Sequence, residues 1–297
     1  MSSLEALSDR IASARDLQSI VRVMKSLSAV SIRQYQDAAQ RLRAAQRIVD
    51  LGFHALLASG SFRWRQAGQP AGGQGLVVMG SDRGLCGRFN EAVVDRAAAL
   101  MRAAPMAGPR IPILAVGARA AARLGAAGLE PDTIFFQPGS AAGLTGTAES
   151  ILVAVEDWQT ALGIERVTVV FNAATPTGGT DQRAEVLVPV DPATLDALAR
   201  GPWPTRQLPM TQGDPDAVFS ALMRERLFIA LMRAGAESLA AEHATRLRAM
   251  QAAEKNITEK LDDLDATFRR TRQEEITTEL MDIVAAYAIV GEGAGGA

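Results

Sequence analysis

The sequence predicts an α/β fold class: an antiparallel coiled coil of long N- and C-terminal helices with an inserted Rossmann-like α/β domain. Three observations predict it. Residues 3–58 and 244–290 contain no Pro and, between them, only Gly52. Both stretches carry apolar residues at spacings of three and four, the repeat of one helix face. Between them, short apolar runs alternate with helical stretches, as in a mostly parallel sheet covered by helices. The division that follows is 1–58 as the first long helix, 59–215 as the α/β domain, and 216–297 as the second long helix, pairing with the first. A compact insertion returns the two ends to one place, and narrow stripes on helices this long call for helical partners.

The first helix is read from Leu4, Leu7, Ile11, Ala14, Leu17, Val21, Met24 and Leu27, continued by Tyr35, Leu42, Ile48 and Leu51. Ser2 or Ser3 with Glu5 serves as its start signal. At about 1.5 Å per residue it would reach roughly 80 Å, so it must project or bend at Gly52. Residues 59–75 are a Gly-rich linker. Strands are expected at 76–80, 111–117, 133–136, 166–172 and 184–190, the last as an antiparallel addition. Helices are expected at 90–103, 118–126 and 147–162, the third burying Ile151, Val155 and Trp158. Residues 191–215, rich in Pro, read as a surface excursion. Asp214 or Asp216 would cap the second long helix, with Pro215 in its first turn. That helix runs to Val290, with Gly235 as a candidate bend, and 291–297 form a frayed Gly-rich tail. Its stripe is Leu247, Met250, Ala253, Ile257, Leu261, Leu264 and Phe268. The stripe lapses at Thr271, Arg272 and Gln273, then resumes at Ile276, Leu280, Ile283 and Tyr287.

Composition excludes several classes. With 31 basic and 33 acidic residues the net charge is −2, so no global field favours nucleic acid or anionic lipid. The basic run Arg269, Arg270, Arg272 is offset by Glu274 and Glu275. One cysteine, Cys86, excludes an internal disulfide framework and fits a reducing cytosol. The N-terminus lacks the apolar core of a signal peptide. No run of eighteen apolar residues occurs, so no direct membrane insertion is expected. Two His and one Cys leave too few soft ligands for a transition metal. Asp262, Asp263 and Asp265 do not converge on a helix.

One loop stands where a doubly wound sheet would hold a phosphate. SerAspArgGlyLeuCysGlyArgPheAsn (81–90) follows a strand and precedes a helix. Its two glycines do not make the dinucleotide fingerprint, no P-loop occurs, and no acid ends the second strand as a ribose ligand. Gly84, Cys86 and Gly87 therefore read as a structural turn. His54 and His243 both fall on the long helices, leaving Cys86 no base to activate it. No catalytic, cofactor-binding or metal residue is expected. Arg272 and Gln273 admit two readings: the end of a coiled-coil seam, where one helix emerges past its partner, or a polar contact with another chain, made by a guanidinium fork and an amide.

Three segments carry a family resemblance. ArgIleAlaSerAlaArgAspLeuGlnSerIleValArgValMetLys (10–25), the loop at 81–90, and the pair ArgLeuArgAlaMetGlnAlaAlaGluLysAsnIle (246–257) with ArgGlnGluGluIleThrThrGluLeuMetAspIleVal (272–284) resemble, in order, the motifs of the gamma subunit of F-type ATP synthases. The resemblance implies the central rotor shaft, coupling transmembrane flow of protons or sodium ions to ATP synthesis or hydrolysis. It implies a non-catalytic subunit without cofactor, peripheral at the cytoplasmic face of a bacterial plasma membrane. The implied partners are the alpha and beta subunits of the catalytic ring, the epsilon subunit and the c-subunit ring. It also implies that Arg272 and Gln273 engage a loop of the beta subunit, and that Met24 and Lys25 face beta. The chain departs from the family pattern at AspLeu (16–17), LysSerLeuSerAlaValSer (25–31), Arg269 and ThrGlnGlyAspPro (211–215), which marks a divergent branch, a sodium-coupled alternative ATPase included. The thiol pair of the chloroplast type is absent. The competing reading is an α/β nucleotide- or metabolite-binding protein with helical extensions.

Overall fold

The structure is a computed structural model. It describes residues 3–58, 62, 73–103, 111–175, 179–203, 205–207 and 212–293, with 285–293 as backbone only. The element order is α1 (Ser3–Ala58), β1 (Gly73–Met79), α2 (Phe89–Ala103), β2 (Ile113–Val116), α3 (Ala118–Ala126), β3 (Thr133–Phe135), α4 (Leu144–Leu162), β4 (Ile164–Ala174), β5 (Thr180–Val188), α5 (Pro192–Arg200) and α6 (Pro215–Gly293). Most of the linker at 59–75, the cap at Ser2 and the side chains of Ser3 and Tyr287 lie outside the described residues. Gly73–Gly75 already belong to β1.

By compactness the chain forms two units, Met1–Leu27 with Arg248–Ala297, and Ser28–Leu247. Residues 28–58 and 215–247 of the long helices thus belong with the sheet.

In the second unit the strand order is β3-β2-β1-β4-β5. The first four strands are parallel and β5 is antiparallel to β4. Alternation along the strands sends side chains to two faces. Val77, Met79, Leu114, Val116, Val169 and Phe171 meet Ile151, Leu152 and Val155 of α4 and Leu231 and Ala234 of α6. Leu76, Val78, Ile113, Ala115 and Val170 meet Val93, Val94 and Ala97 of α2 and Ala121 and Leu124 of α3. Being buried on both faces, the inner strands are continuous apolar runs, which is why they were legible. β5 is longer than expected because its N-terminal half, ThrAspGlnArg, is held by pairing with β4 rather than by an apolar run.

Local signals fix the ends. Gly163 closes α4 in the left-handed conformation (φ 64°). Helix α5, inside the segment expected to be an irregular excursion, starts at Asp191, whose carboxylate accepts from Ala193 N at 3.0 Å with Pro192 in the first turn. It buries Leu195 against Val49, Phe53 and Ile229. Asp214, not Asp216, caps α6, accepting from the backbone N–H groups of Asp216 and Ala217.

Neither Gly52 nor Gly235 interrupts its helix. Both are places of close approach. A Cβ on Gly52 would lie 2.8 Å from Leu222 Cδ2, and one on Gly235 would lie 3.0 Å from Leu144 Cδ2.

Candidate functional site

In the first unit the pairing of α1 and α6 is antiparallel. Ile11 packs with Leu261 and Leu264, with Leu7, Ala14, Ile257 and Phe268 around them. Further along, Gln18 Nε2 donates to Thr258 Oγ1 at 3.0 Å, and Arg22 and Lys25 both bond Glu254. The hydrogen bonds from Lys25 and then Arg22 hold the Glu254 carboxyl below its usual range.

The stripe on α1 therefore differs from the sequence reading. Leu17 and Leu27, expected in the seam, are 55% and 63% exposed. Gln18, half-buried, takes the seam position beside Leu17, and Lys25 turns toward Glu254. In the second unit Ile48 is likewise exposed, while Tyr35, Ala39, Val49, Phe53 and Leu56 are buried. The cause is the 3.5-residue repeat: a helix rich in apolar residues offers two neighbouring stripes, and polar partners on the facing helix decide which one is seated.

The side chains on the other stripe point outward. Leu17, Ile20, Val23 and Leu27 are all more than half exposed. On α6 the same holds for Leu280, Met281, Ile283 and Val284, with Ile276 at 48%. Helix α1 starts at Ser3 and Leu7 already packs beside Phe268. Beyond Phe268, among the described residues, no α6 side chain belongs to the apolar cluster that joins the two helices. Arg272 and Gln273 stand exposed past its end, and Met24 and Lys25 are half-buried.

In the second unit, the crevice after β1 is closed by the chain itself. Ser81 N donates to Asn90 Oδ1 at 2.9 Å, and Asn90 Nδ2 returns to Ser81 Oγ at 2.7 Å. The N-terminus of α3, where an anion would be drawn, is occupied by Asp82: its Oδ1 accepts from Ala118 N and its Oδ2 from Gln137 N, both at 2.9 Å. Gln137 Nε2 then reaches Glu242 Oε2 at 2.6 Å, and Arg246 bonds Glu242 at 2.6 Å and the carbonyls of Arg83 and Gly84. Cys86 and Phe89 pack on Ala241 of α6. Burial raises the pKa of the Cys86 thiol and of Glu242. Gly87 has φ +57° and Leu85 φ 62°, whereas Gly84 has open space around it. The cavity left beneath this network, lined by Met79, Gln137 and Leu239 among others, holds about 20 Å³, far below the volume of a nucleotide. Asp82, Gln137, Glu242 and Arg246 were missed in the sequence, because they meet only through the sheet and α6.

His243, beside Arg246, stacks on Tyr35 with ring centroids 5.7 Å apart. Burial, with the Arg246 charge, lowers its pKa to about 4. No group of His, Cys, Asp and Glu among the described residues is arranged to hold a metal ion.

One unit is a pair of long antiparallel helices, and the other is a Rossmann-like sheet whose crevice is closed by its own side chains. A family model described as ATP synthase matches residues 3–289. The chain is similar to the ATP synthase gamma chain of Granulibacter bethesdensis, at 30% identity over 305 residues covering 96% of this chain and 98% of that relative. It is also similar to that of Sorangium cellulosum, at 28% over 325 residues with the same coverage. In fold it is similar to a chain of the Euglena gracilis mitochondrial ATP synthase rotor, with TM-score 0.61 and 16% identity over 92% of this chain and 99% of that one. The chain belongs to the ATP synthase family, among its gamma chains.

Proposed function

We propose that this chain is the central rotor shaft of an F-type ATP synthase, coupling ion flow across the membrane to ATP synthesis or hydrolysis at the beta subunits of an alpha–beta ring. Segments 1–58 and 216–297 form the shaft, and 59–215 form a foot that meets the c-subunit ring and the epsilon subunit. The chain catalyses nothing itself. The shaft biases the catalytic sites by contacts that differ with its angle. The single observation that carries this reading is the set of outward apolar side chains on both helices of the first unit. Water would leave such a surface unfavourably exposed, and an enclosing ring of partner subunits would bury it.

Arg272 and Gln273 are assigned to a loop of the beta subunit. They lie exposed at the exit of the seam, with donors and acceptors free of core packing. Met24 is assigned to the same partner. Lys25 takes part through the charge cluster it shares with Arg22 and Glu254, which fixes its position on the shaft. Gly84, Cys86 and Gly87 serve as the structural turn that seats the foot on α6. No helix among the described residues is long and apolar enough to cross a membrane. The chain is assigned a peripheral place at the cytoplasmic face of the membrane, the coupling ion being chosen by membrane subunits.

The test is Arg272→Ala in the assembled complex. Melting of the chain alone should change by less than about 0.5 kcal/mol, since no buried group is lost, while ion-coupled turnover falls severalfold. Unchanged turnover with a lowered melting temperature would make Arg272 part of the fold and remove the assignment.

A further inference from the structure

We propose that the cleft between α1 and the β4–β5 pair in the second unit is a docking groove for an acidic polypeptide segment of a partner subunit. The cleft has a volume of about 670 Å³. One wall is a single face of α1: Gln36, Gln40, Arg43 and Arg47 follow one another at helical spacing over roughly 16 Å. The opposite wall carries Arg183 of β5.

The floor is Glu237 of α6, only 5% exposed. Its Oε1 accepts from Arg43 Nη2 at 2.8 Å and its Oε2 from Arg183 Nη1 at 3.0 Å. Arg233 adds a longer contact at 3.5 Å and is itself paired with Glu185. One buried carboxylate thus ties together guanidinium groups from both walls. Four arginines surround two carboxylates, and Arg47 has no ion pair among the described residues. Each guanidinium carries five donors. After Glu237 and Glu185 are satisfied, a surplus of donors and positive charge remains: Arg43 and Arg183 are oriented by the shared carboxylate, and Arg47 adds an unneutralised charge beside them.

Such an arrangement recognises oxyanions. The groove is elongated rather than a cup, and amide side chains extend the donor row beyond the arginines. Carboxylates spaced along a chain match this row better than one compact anion does. The occupant is therefore a segment bearing several Asp or Glu side chains.

The experiment uses the full chain alone, so it does not depend on the rotor reading. A fluorescent peptide of six alternating Glu and Ala pairs is titrated against wild type, Arg47→Glu and Arg47→Lys, with melting measured for each. The expected result is salt-sensitive binding that weakens at least tenfold in Arg47→Glu and is largely kept in Arg47→Lys, with melting unchanged. Equal binding by Arg47→Glu, or no binding at low salt, overturns the proposal. Tripolyphosphate competing at lower concentration than the peptide also overturns it, making the cleft a site for free phosphates. In the assembled complex, a photo-crosslinker at Gln40 should map to an acidic segment of a partner, and a crosslink to a non-acidic segment would contradict the assignment.

Discussion

Gly80 shows how much one missing methyl group can decide. A Cβ there would lie 2.2 Å from Ala120 Cβ and 2.8 Å from Asn90 Oδ1. Gly80→Ala should cost about 2–3 kcal/mol, because α3 and the Asn90 network cannot both yield. Gly84→Ala, with nothing near it, should stay within about 0.5 kcal/mol, and chemical denaturation of the two variants checks the contrast. His243 supplies a pH dependence. Its folded pKa of about 4 lies below the ordinary 6.5. The unfolded chain therefore binds the extra proton between those values, and stability falls as pH drops from about 6.5 to about 4. Allowing for partial exposure, the loss is on the order of 1–2 kcal/mol. Glu242, raised by burial, acts with opposite sign: its contribution is present below 4.5 and is lost as pH rises through its folded value. The measurement is thus the difference between wild type and His243→Phe, whose acid-side slope should be shallower. Equal slopes from pH 4 to 6.5 would show that His243 is not the titrating group.

At the scale of the element, the long helices were legible over nearly their whole length, although α6 continues to Gly293 where a frayed tail was expected from residue 291. Unbroken helix formers and the absence of Pro bound them without reference to anything else in the chain. Which stripe each helix buries was not legible. Leu17 and Leu27 fit the seam by hydropathy, yet Gln18 occupies it because Thr258 lies opposite, and Lys25 turns inward because Glu254 does. A double variant, Leu17→Gln with Leu27→Gln, should leave melting of the chain alone within about 1 kcal/mol. Ile11→Ala, in the seam, should lower it by about 2 kcal/mol or more. In the assembled complex the order should reverse for coupled turnover, with the double variant the more damaged. If the double variant also unfolds the isolated chain, those side chains are core and the bearing surface is not where it has been placed.

For the whole molecule, the self-closed crevice predicts that the chain alone binds no adenine nucleotide. Asp82 holds the N-terminus of α3, and Arg246 pins the 81–90 loop to α6. Calorimetric titration with ATP and ADP, with and without magnesium, should show no heat of specific binding. A dissociation constant in the micromolar range would restore the nucleotide-binding alternative. The sequence argued against that alternative only through missing motifs: no dinucleotide fingerprint, no P-loop and no acid at the end of the second strand. The structure gives the positive reason, an internal carboxylate seated where the phosphate would be.

What the sequence determined by itself is the part of the fold that short-range chemistry controls. Helical period, breaker residues and apolar runs set the elements, and the three motifs set the family. Tertiary structure alone decided which polar groups meet. The closed crevice joins residues from 80 to 246, and the arginine groove joins α1, β5 and α6. Hydrogen bonds and ion pairs act over a few ångströms in space, and no periodicity along the chain records which distant segments the sheet will bring within that reach.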